Sequence, residues 1–208
     1  MSSRPALELA TLPSRHPRIG LALLLYAPST VFRLRVDPTP LGSATLKRDI
    51  EINWRGRVGK HSLVQESCEI GWSNLSSLSE DLLIQLPITI PEHTLTEQAA
   101  IGVMAMVIHE LEGGQLIQVL QIGSGGDYLV ITENAKRAVQ VEVSGILLDT
   151  TGSESISRLR KKSDQVLTHS RSGFASVTTF AHGPDRIVQS DLHFVTRESQ
   201  KKKRGKRR

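Results

Sequence analysis

Val139-Gln140-Val141-Glu142-Val143-Ser144-Gly145 is the stretch that decides the fold of this chain. Its valines alternate with Gln140, Glu142 and Ser144. Successive side chains of a β-strand point to opposite faces of a sheet. The pattern therefore predicts a strand with one apolar face and one polar face that carries a carboxylate.

A second carboxylate precedes a neighbouring strand candidate. Asp127 lies between the glycine-rich run 123–126 and the apolar residues Tyr128–Thr132. Glycine lets backbone or ligand approach closely, and neighbouring strands bring their side chains to about 5 Å from each other. We therefore expect Asp127 and Glu142 to hold a divalent metal between them. Two alternatives remain: Asp127 caps local backbone N–H groups, or the polar strand face is solvated.

The elements around these strands predict an α-β-β-β-α-β order. A capping box, Thr94-Leu95-Thr96-Glu97, begins a helix that runs to Glu112 and ends at Gly113-Gly114. The later candidates are strands Leu116–Ile122, Tyr128–Thr132 and Ala138–Ser144, helix Ser155–Thr168, strand Gly173–Ala181 and a shorter strand, Val188–Phe194, at an edge. This order favours a mixed α/β or α+β domain.

Before residue 91 the chain predicts mainly strands. Ile19–Tyr26 and Val31–Val36 flank a turn, and Leu46–Trp54 and Val58–Val64 form a predicted hairpin. Ser79–Leu86 is a short predicted helix that Pro87 ends. We expect an irregular arm at 1–18, a β-rich part at 19–90, a core at 91–198 and a disordered basic tail at 199–208.

Composition limits the class of protein. The lone Cys68 fits a reducing cytoplasm, no secretory signal begins the chain, and its apolar stretches are too short to span a bilayer. Seven basic residues form the end of the chain: Lys201, Lys202, Lys203, Arg204, Lys206, Arg207 and Arg208. The net charge is +5, so residues 1–200 carry 5 − 7 = −2. The tail either binds nucleic acid phosphates, contacts an acidic protein or only aids solubility.

The element order with Asp127 and Glu142 resembles the PD-(D/E)XK nuclease superfamily over about residues 94–181. The resemblance implies a restriction-endonuclease-like αβββαβ core in which Asp127 and Glu142 bind Mg²⁺ or Mn²⁺. It also implies that Glu110, on the first helix, is an auxiliary acid. Taken from the residues alone, Glu110 is better explained as a surface charge at a helix end.

The sequence departs from the family motif at Ser144, where the resemblance implies a lysine. Lys162, on the following helix, is the best replacement, and Lys136 is a weaker one. Gln140 and Lys161 are candidate contacts for nucleic acid, although a lysine pair such as Lys161-Lys162 most often lies on a solvated helix face. Without a lysine at the site, the fold binds but does not cut.

We therefore expect a cytoplasmic, metal-dependent nuclease-like protein that acts on DNA or RNA. Its partners are nucleic acid and, within a bacterial defence or nucleic-acid-processing complex, other proteins, but no membrane. The alternative is a catalytically inactive subunit that serves as a nucleic-acid-binding or protein-scaffold component.

Overall fold

A computed structural model describes residues 6–20, 22–32, 47–56, 64–71, 80–120, 127–132, 137–185 and 187–197. The helices are α1 (Leu12–Arg15, after a 3-10 turn at Leu9–Thr11), α2 (Ala22–Val31), α3 (Glu80–Thr89), α4 (Glu92–Glu112) and α5 (Ser153–His169). The strands are β1 (Ala6–Glu8), β2 (Lys47–Arg55), β3 (Val64–Gly71), β4 (Gln115–Val119), β5 (Tyr128–Ile131), β6 (Val139–Ile146), β7 (Ser172–His182) and β8 (Ile187–Thr196).

All the described strands belong to a single mixed sheet in the order β1-β3-β2-β8-β7-β6-β5-β4. Strands β4, β5 and β6 form an antiparallel meander, and α5 then connects β6 to the parallel strand β7. The expected mixed α/β class is confirmed, and the elements from α4 to β7 follow the predicted α-β-β-β-α-β order. The restriction-endonuclease-like identity of this core stays a prediction.

Strand β8 lies inside the sheet, so its predicted place at an edge is wrong. It pairs antiparallel with β7 and parallel with β2, and it thereby joins the two halves of the sheet. Strands β2 and β3 pair antiparallel, but the partner of β2 is Val64–Gly71 and not the predicted Val58–Val64. Residues 57–63, where we predicted this partner to begin, lie outside the described residues.

The long helix α4 is central to the domain. Ala99, Ala100, Val103, Met104 and Val107 are fully buried, as their helical spacing predicts. They share one core with Val141 and Val143 of β6. The helix ends as predicted at Gly113, whose φ of 57° is in the left-handed region. It begins at Glu92 after Pro91, before the predicted capping box, and Pro91 makes no side-chain cap.

The apolar run before residue 32 forms helix α2, so the strand predicted at Ile19–Tyr26 is wrong. A short apolar run has no period that separates a buried strand from a buried helix, and tertiary packing decides between them. Here α2 packs on α4. A Cβ at Gly102 of α4 would lie 2.5 Å from Pro28 Cγ and 2.7 Å from the Leu24 carbonyl oxygen. Glycine at this position therefore permits the close approach of the helices.

The predicted arm at 1–18 contains β1, α1 and the 3-10 turn, and β1 adds a parallel strand beside β3. The prediction that Pro87 ends its helix is wrong, because α3 continues through Pro87 to Thr89. Proline removes one backbone hydrogen bond of a helix and crowds the carbonyl four residues earlier, and α3 continues in spite of this cost. Residues 33–46, which include most of the strand predicted at Val31–Val36, are not among the described residues.

Candidate functional site

The polar face of β6 is buried, not solvated. Gln140, Glu142 and Ser144 are 8%, 5% and 3% exposed, respectively. The valine face of the strand packs against α4, and α5 covers the opposite face. Both faces of β6 are therefore inside the protein, and its polar side chains need partners there.

Helix α5 supplies a partner for each of these three side chains. Arg158 Nη1 donates to Ser144 Oγ at 3.0 Å, and Lys162 Nζ donates to Glu142 Oε2 at 3.0 Å. Gln140 Nε2 donates to the Val166 carbonyl oxygen at 3.4 Å. Four helical residues rise about 6 Å and two strand residues about 6.6 Å, so the two repeats stay in step. The run from Gln140 to Ser144 thus pairs, in antiparallel direction, with one stripe of α5.

Asp127 joins this arrangement from the start of β5. Tyr128 pairs with Val141, which places Asp127 beside Glu142 in the sheet. Its Oδ2 accepts a hydrogen bond from the Val143 backbone N–H at 2.7 Å and another from Lys162 Nζ at 3.3 Å. Lys162 therefore bridges the two predicted carboxylates, and the structure brings Asp127, Glu142 and Lys162 together.

Asp127, Glu142 and Lys162 form a trio in which burial and the charges of its members shift the pKa values of Glu142 and Lys162. Burial raises the pKa of Glu142, the hydrogen bond from Lys162 opposes this shift, and the charge of Asp127 adds to it. Burial alone would lower the pKa of Lys162, but the negative charges of Asp127 and Glu142 outweigh it and raise that pKa. Lys162 therefore stays an ammonium at neutral pH and cannot act as a base.

The trio opens to solvent on the side of Asp127. The Asp127 side chain is 39% exposed, whereas Lys162 is 19% and Glu142 6% exposed. Helix α5 packs on β6, β7 and β8, while Leu129 and Ile131 of β5 remain half-buried. Among the described residues, the side of these carboxylates that α5 leaves uncovered is therefore the side over β5.

Lys161 lies on the flank of α5 that faces this opening. Leu159, Val166 and Leu167 pack towards β7 and the end of β8, in a cluster with Ala175 and Val195. Each helical residue turns by about 100°, so Lys161 lies on the opposite side of Lys162 from this cluster. Its side chain is exposed.

Asp127 and Glu142 place two carboxylates, the type of oxygen ligand that divalent cations take, around one cation. Two carboxylate oxygens lie within 3.3 Å of the same nitrogen, so the Lys162 ammonium is a stand-in cation between them. Mg²⁺ in proteins is often held by one or two carboxylates, and water and substrate phosphate complete its coordination. Among the described residues, no group of three or more His, Cys, Asp or Glu side chains is arranged to hold a metal ion.

Glu110, the predicted auxiliary acid, forms an ion pair on another part of the molecule. Its Oε2 lies 3.5 Å from Arg15 Nη1 of α1, and its side chain is 40% exposed. Residues 123–126, Lys136 and the basic tail at 199–208 fall outside the part of the chain that the structure describes.

Sequence reasoning missed two side chains near the trio. Arg158 binds Ser144 Oγ and the Gly145 carbonyl oxygen and pairs with Glu154 at 2.8 Å. His169 lies close enough for its charge to act on Glu142. Arg158, Lys162 and Val166 are spaced four residues apart, and their partners Ser144, Glu142 and Gln140 are spaced two apart. This match of spacings is the feature of the sequence that could have predicted the contact of Arg158 with β6.

No helix of the described residues is both long enough and apolar enough to cross a membrane. Comparison of the chain with protein-family models, with curated proteins and with solved structures gave no match.

Proposed function

We propose that this protein is a metal-dependent nuclease-like protein whose reacting groups are Asp127, Glu142 and Lys162. The observation that carries the proposal is the position of Lys162 Nζ, 3.0 Å from Glu142 and 3.3 Å from Asp127. A helix thereby supplies the lysine that is missing at Ser144. The α-β-β-β-α-β order of elements supports the same assignment.

Each member of the trio has a role that follows from its surroundings. Asp127 and Glu142 would hold Mg²⁺ or Mn²⁺, which stabilises developing negative charge and lowers the pKa of an attacking water. Lys162 stays charged, so it orients a water or a phosphate oxygen and stabilises negative charge without accepting a proton. Arg158 holds the strand and the helix together beside them.

Nucleic acid would reach the carboxylates over β5. Lys161 is exposed on that flank of α5, and the seven basic residues at 201–208 add attraction that does not depend on base sequence. The body of the chain carries little net charge, so the tail would supply most of the salt-dependent affinity. DNA and RNA are both compatible with this mode of contact.

Cleavage assays on plasmid and single-stranded substrates, with Mg²⁺ or Mn²⁺, test the proposal. We expect Asp127→Asn and Glu142→Gln each to reduce the cleavage rate roughly 10²–10³-fold, because each removes a charge from the reacting centre. Asp185→Asn is the matched control, since Asp185 is exposed in the turn between β7 and β8. Equal activity in all four proteins would contradict the proposal.

One observation favours a second candidate, a catalytically inactive subunit that binds nucleic acid or protein. Lys162 already satisfies both carboxylates and fastens α5 to the sheet, which is a sufficient structural role for the trio. Absence of cleavage with either metal, together with salt-dependent binding that is lost when the chain ends at Gln200, would support this candidate.

A further inference from the structure

The two carboxylates of the trio are occupied by an internal cation. Lys162 Nζ donates to Asp127 Oδ2 and to Glu142 Oε2. Asp127 Oδ2 also accepts the Val143 backbone N–H at 2.7 Å, so both of its lone pairs are used. This oxygen becomes a ligand for another cation only when one of these donors leaves it. The backbone donor is fixed by the pairing of β6, whereas the lysine side chain has rotatable bonds.

The charges of the trio give a second reason why Lys162 must move before a cation binds, and this reason also covers Asp127 Oδ1 and Glu142 Oε1. Asp127, Glu142 and Lys162 together carry a net charge of −1 when all three are ionised, and removal of the ammonium makes this −2. A divalent cation bound through Asp127 Oδ1 or Glu142 Oε1 would share carboxylate groups that Lys162 already partly neutralises. Two positive charges at such short range repel, and the burial of Glu142 and most of Lys162 limits the screening of this repulsion by water.

We infer that Lys162 and a divalent cation compete for Asp127 and Glu142, so that binding of the metal displaces the lysine from at least one carboxylate. The inference rests on the metal-binding part of the proposed function. Lys162 then has two states. Without metal, the hydrogen bonds of Lys162 to Asp127 and Glu142 hold α5 on β6. With metal, at least one of these bonds is broken, and the ammonium turns towards the open side over β5, where a phosphate would lie.

Calorimetric titration with Mg²⁺ and with Mn²⁺ alone tests the competition. We expect Lys162→Met to bind either ion on the order of tenfold more tightly than the unmodified chain, because the competing charge is gone. Lys161→Met is the matched control: it removes the same charge from the neighbouring, exposed position, and its affinity should change by less than about twofold. The double variant Lys162→Met, Asp127→Asn should lose the gain, which places the ion at these carboxylates.

Thermal unfolding gives a second, independent measurement. Lys162→Met leaves two carboxylates together without their counter-ion, so added Mg²⁺ should raise its Tm by several degrees more than it raises that of the unmodified chain. If Lys162→Met does not fold, Lys162→Gln keeps a hydrogen-bond donor without the charge and should give the same order of metal affinities.

Metal binding by the Lys162 variants that is no tighter than that of the unmodified chain would overturn the inference, as would no metal binding by any of them. Tighter metal binding by these variants, in a protein that cleaves no nucleic acid, would support the inference while it contradicts the nuclease proposal. The two failures are therefore distinguishable.

Discussion

Strands β2 and β6 carry the same alternation of apolar and polar side chains, yet their polar faces have different surroundings. In β2, Ile50 and Ile52 are fully buried, while Asp49 is exposed and Glu51 half-buried. In β6, Glu142 is only 5% exposed beneath α5. A carboxylate on β2 is thus partly hydrated, whereas a carboxylate on β6 needs a cation from the protein or from solution.

The difference shows that alternation of apolar and polar residues identifies a strand and its two faces. This alternation does not show which part of the protein packs on each face. A polar strand face can be buried under a helix only when the helix supplies hydrogen-bond donors opposite the polar side chains. Arg158 and Lys162 are such donors for Ser144 and Glu142. Such a covered polar face is where side chains with perturbed pKa values gather, and these are the groups that catalysis uses.

The largest expected effect tests how tightly the valine face of β6 is covered. A Cβ at Gly145 would overlap the Thr96 carbonyl oxygen of α4, and backbone at that position cannot move aside cheaply. Gly145→Ala should therefore lower the free energy of unfolding by about 3 kcal/mol, as measured by urea denaturation. Gly20→Ala is the control, since no atom lies within 4 Å of its added Cβ. Equal stability of the two variants would show that α4 does not cover β6 closely.

The next effect concerns the α4 side of the sheet and its dependence on pH. His16 is fully buried; its Nδ1 accepts the Leu116 backbone N–H and its Nε2 contacts the Ala105 carbonyl oxygen, each at 3.0 Å. Burial is the main cause that lowers the pKa of His16 from 6.5 to about 4. The folded protein thus binds fewer protons here than the unfolded chain, so this stabilisation is complete above pH 6.5 and is lost as the pH falls towards 4.

The loss should amount to about 3 kcal/mol between these limits, measured as the difference between the pH profiles of the unmodified chain and of His16→Gln. A constant difference between the two profiles over this range would contradict a neutral, buried His16.

The third effect tests the polar face of β6 directly. Lys162→Met leaves Asp127 and Glu142 without their counter-ion and should cost about 2 kcal/mol at pH 7 without added metal. This is less than for a fully buried pair, because the Asp127 side chain is 39% exposed. Lys161→Met should change the free energy of unfolding by less than about 0.5 kcal/mol. If both variants lose the same amount, the polar face of β6 is no more closely covered than that of β2.

The smallest effect lies at alkaline pH. The folded pKa of Lys162 is raised above 10.5, so the folded protein holds this proton more tightly than the unfolded chain. The resulting stabilisation is complete below pH 10.5 and is lost as the pH rises through the folded pKa. We expect the unmodified chain to lose more stability than Lys162→Met as the pH rises from 9 to 12, as measured by urea denaturation at each pH. Parallel profiles would show that the ion pairs do not form in solution.

Much of the C-terminal half could be read from local pattern. The spacing of hydrophobic residues and the turn residues predict helix α4 and the glycine at its end. The same signals predict strands β5, β6 and β7. The N-terminal half was harder to read. The apolar residues of α2 have no period that separates a helix from a strand, and their helix forms because α4 offers a surface with room for Pro28.

The candidate site divides in the same way. Glu142 stands out as a carboxylate among the valines of its strand, Asp127 stands out after a glycine-rich run, and their convergence follows from pairing of adjacent strands. Lys162 was one of two lysines proposed to replace the motif lysine that is absent at Ser144. Only the packing of α5 on β6 brings it to the carboxylates. Glu110 was the weakest of the three candidate acids in sequence, where a surface charge at a helix end explains it better, and the position of α1 pairs it with Arg15.

The sequence by itself determined which residues form strands in the C-terminal half and which side chains share a face, because backbone geometry fixes the period of two. Only the tertiary structure decided that a helix covers the polar face of β6 while the matching face of β2 stays more open. The reason is physical: burial of a charge is tolerated only where a distant part of the chain supplies the opposite charge at hydrogen-bond distance, and local pattern does not contain that distance.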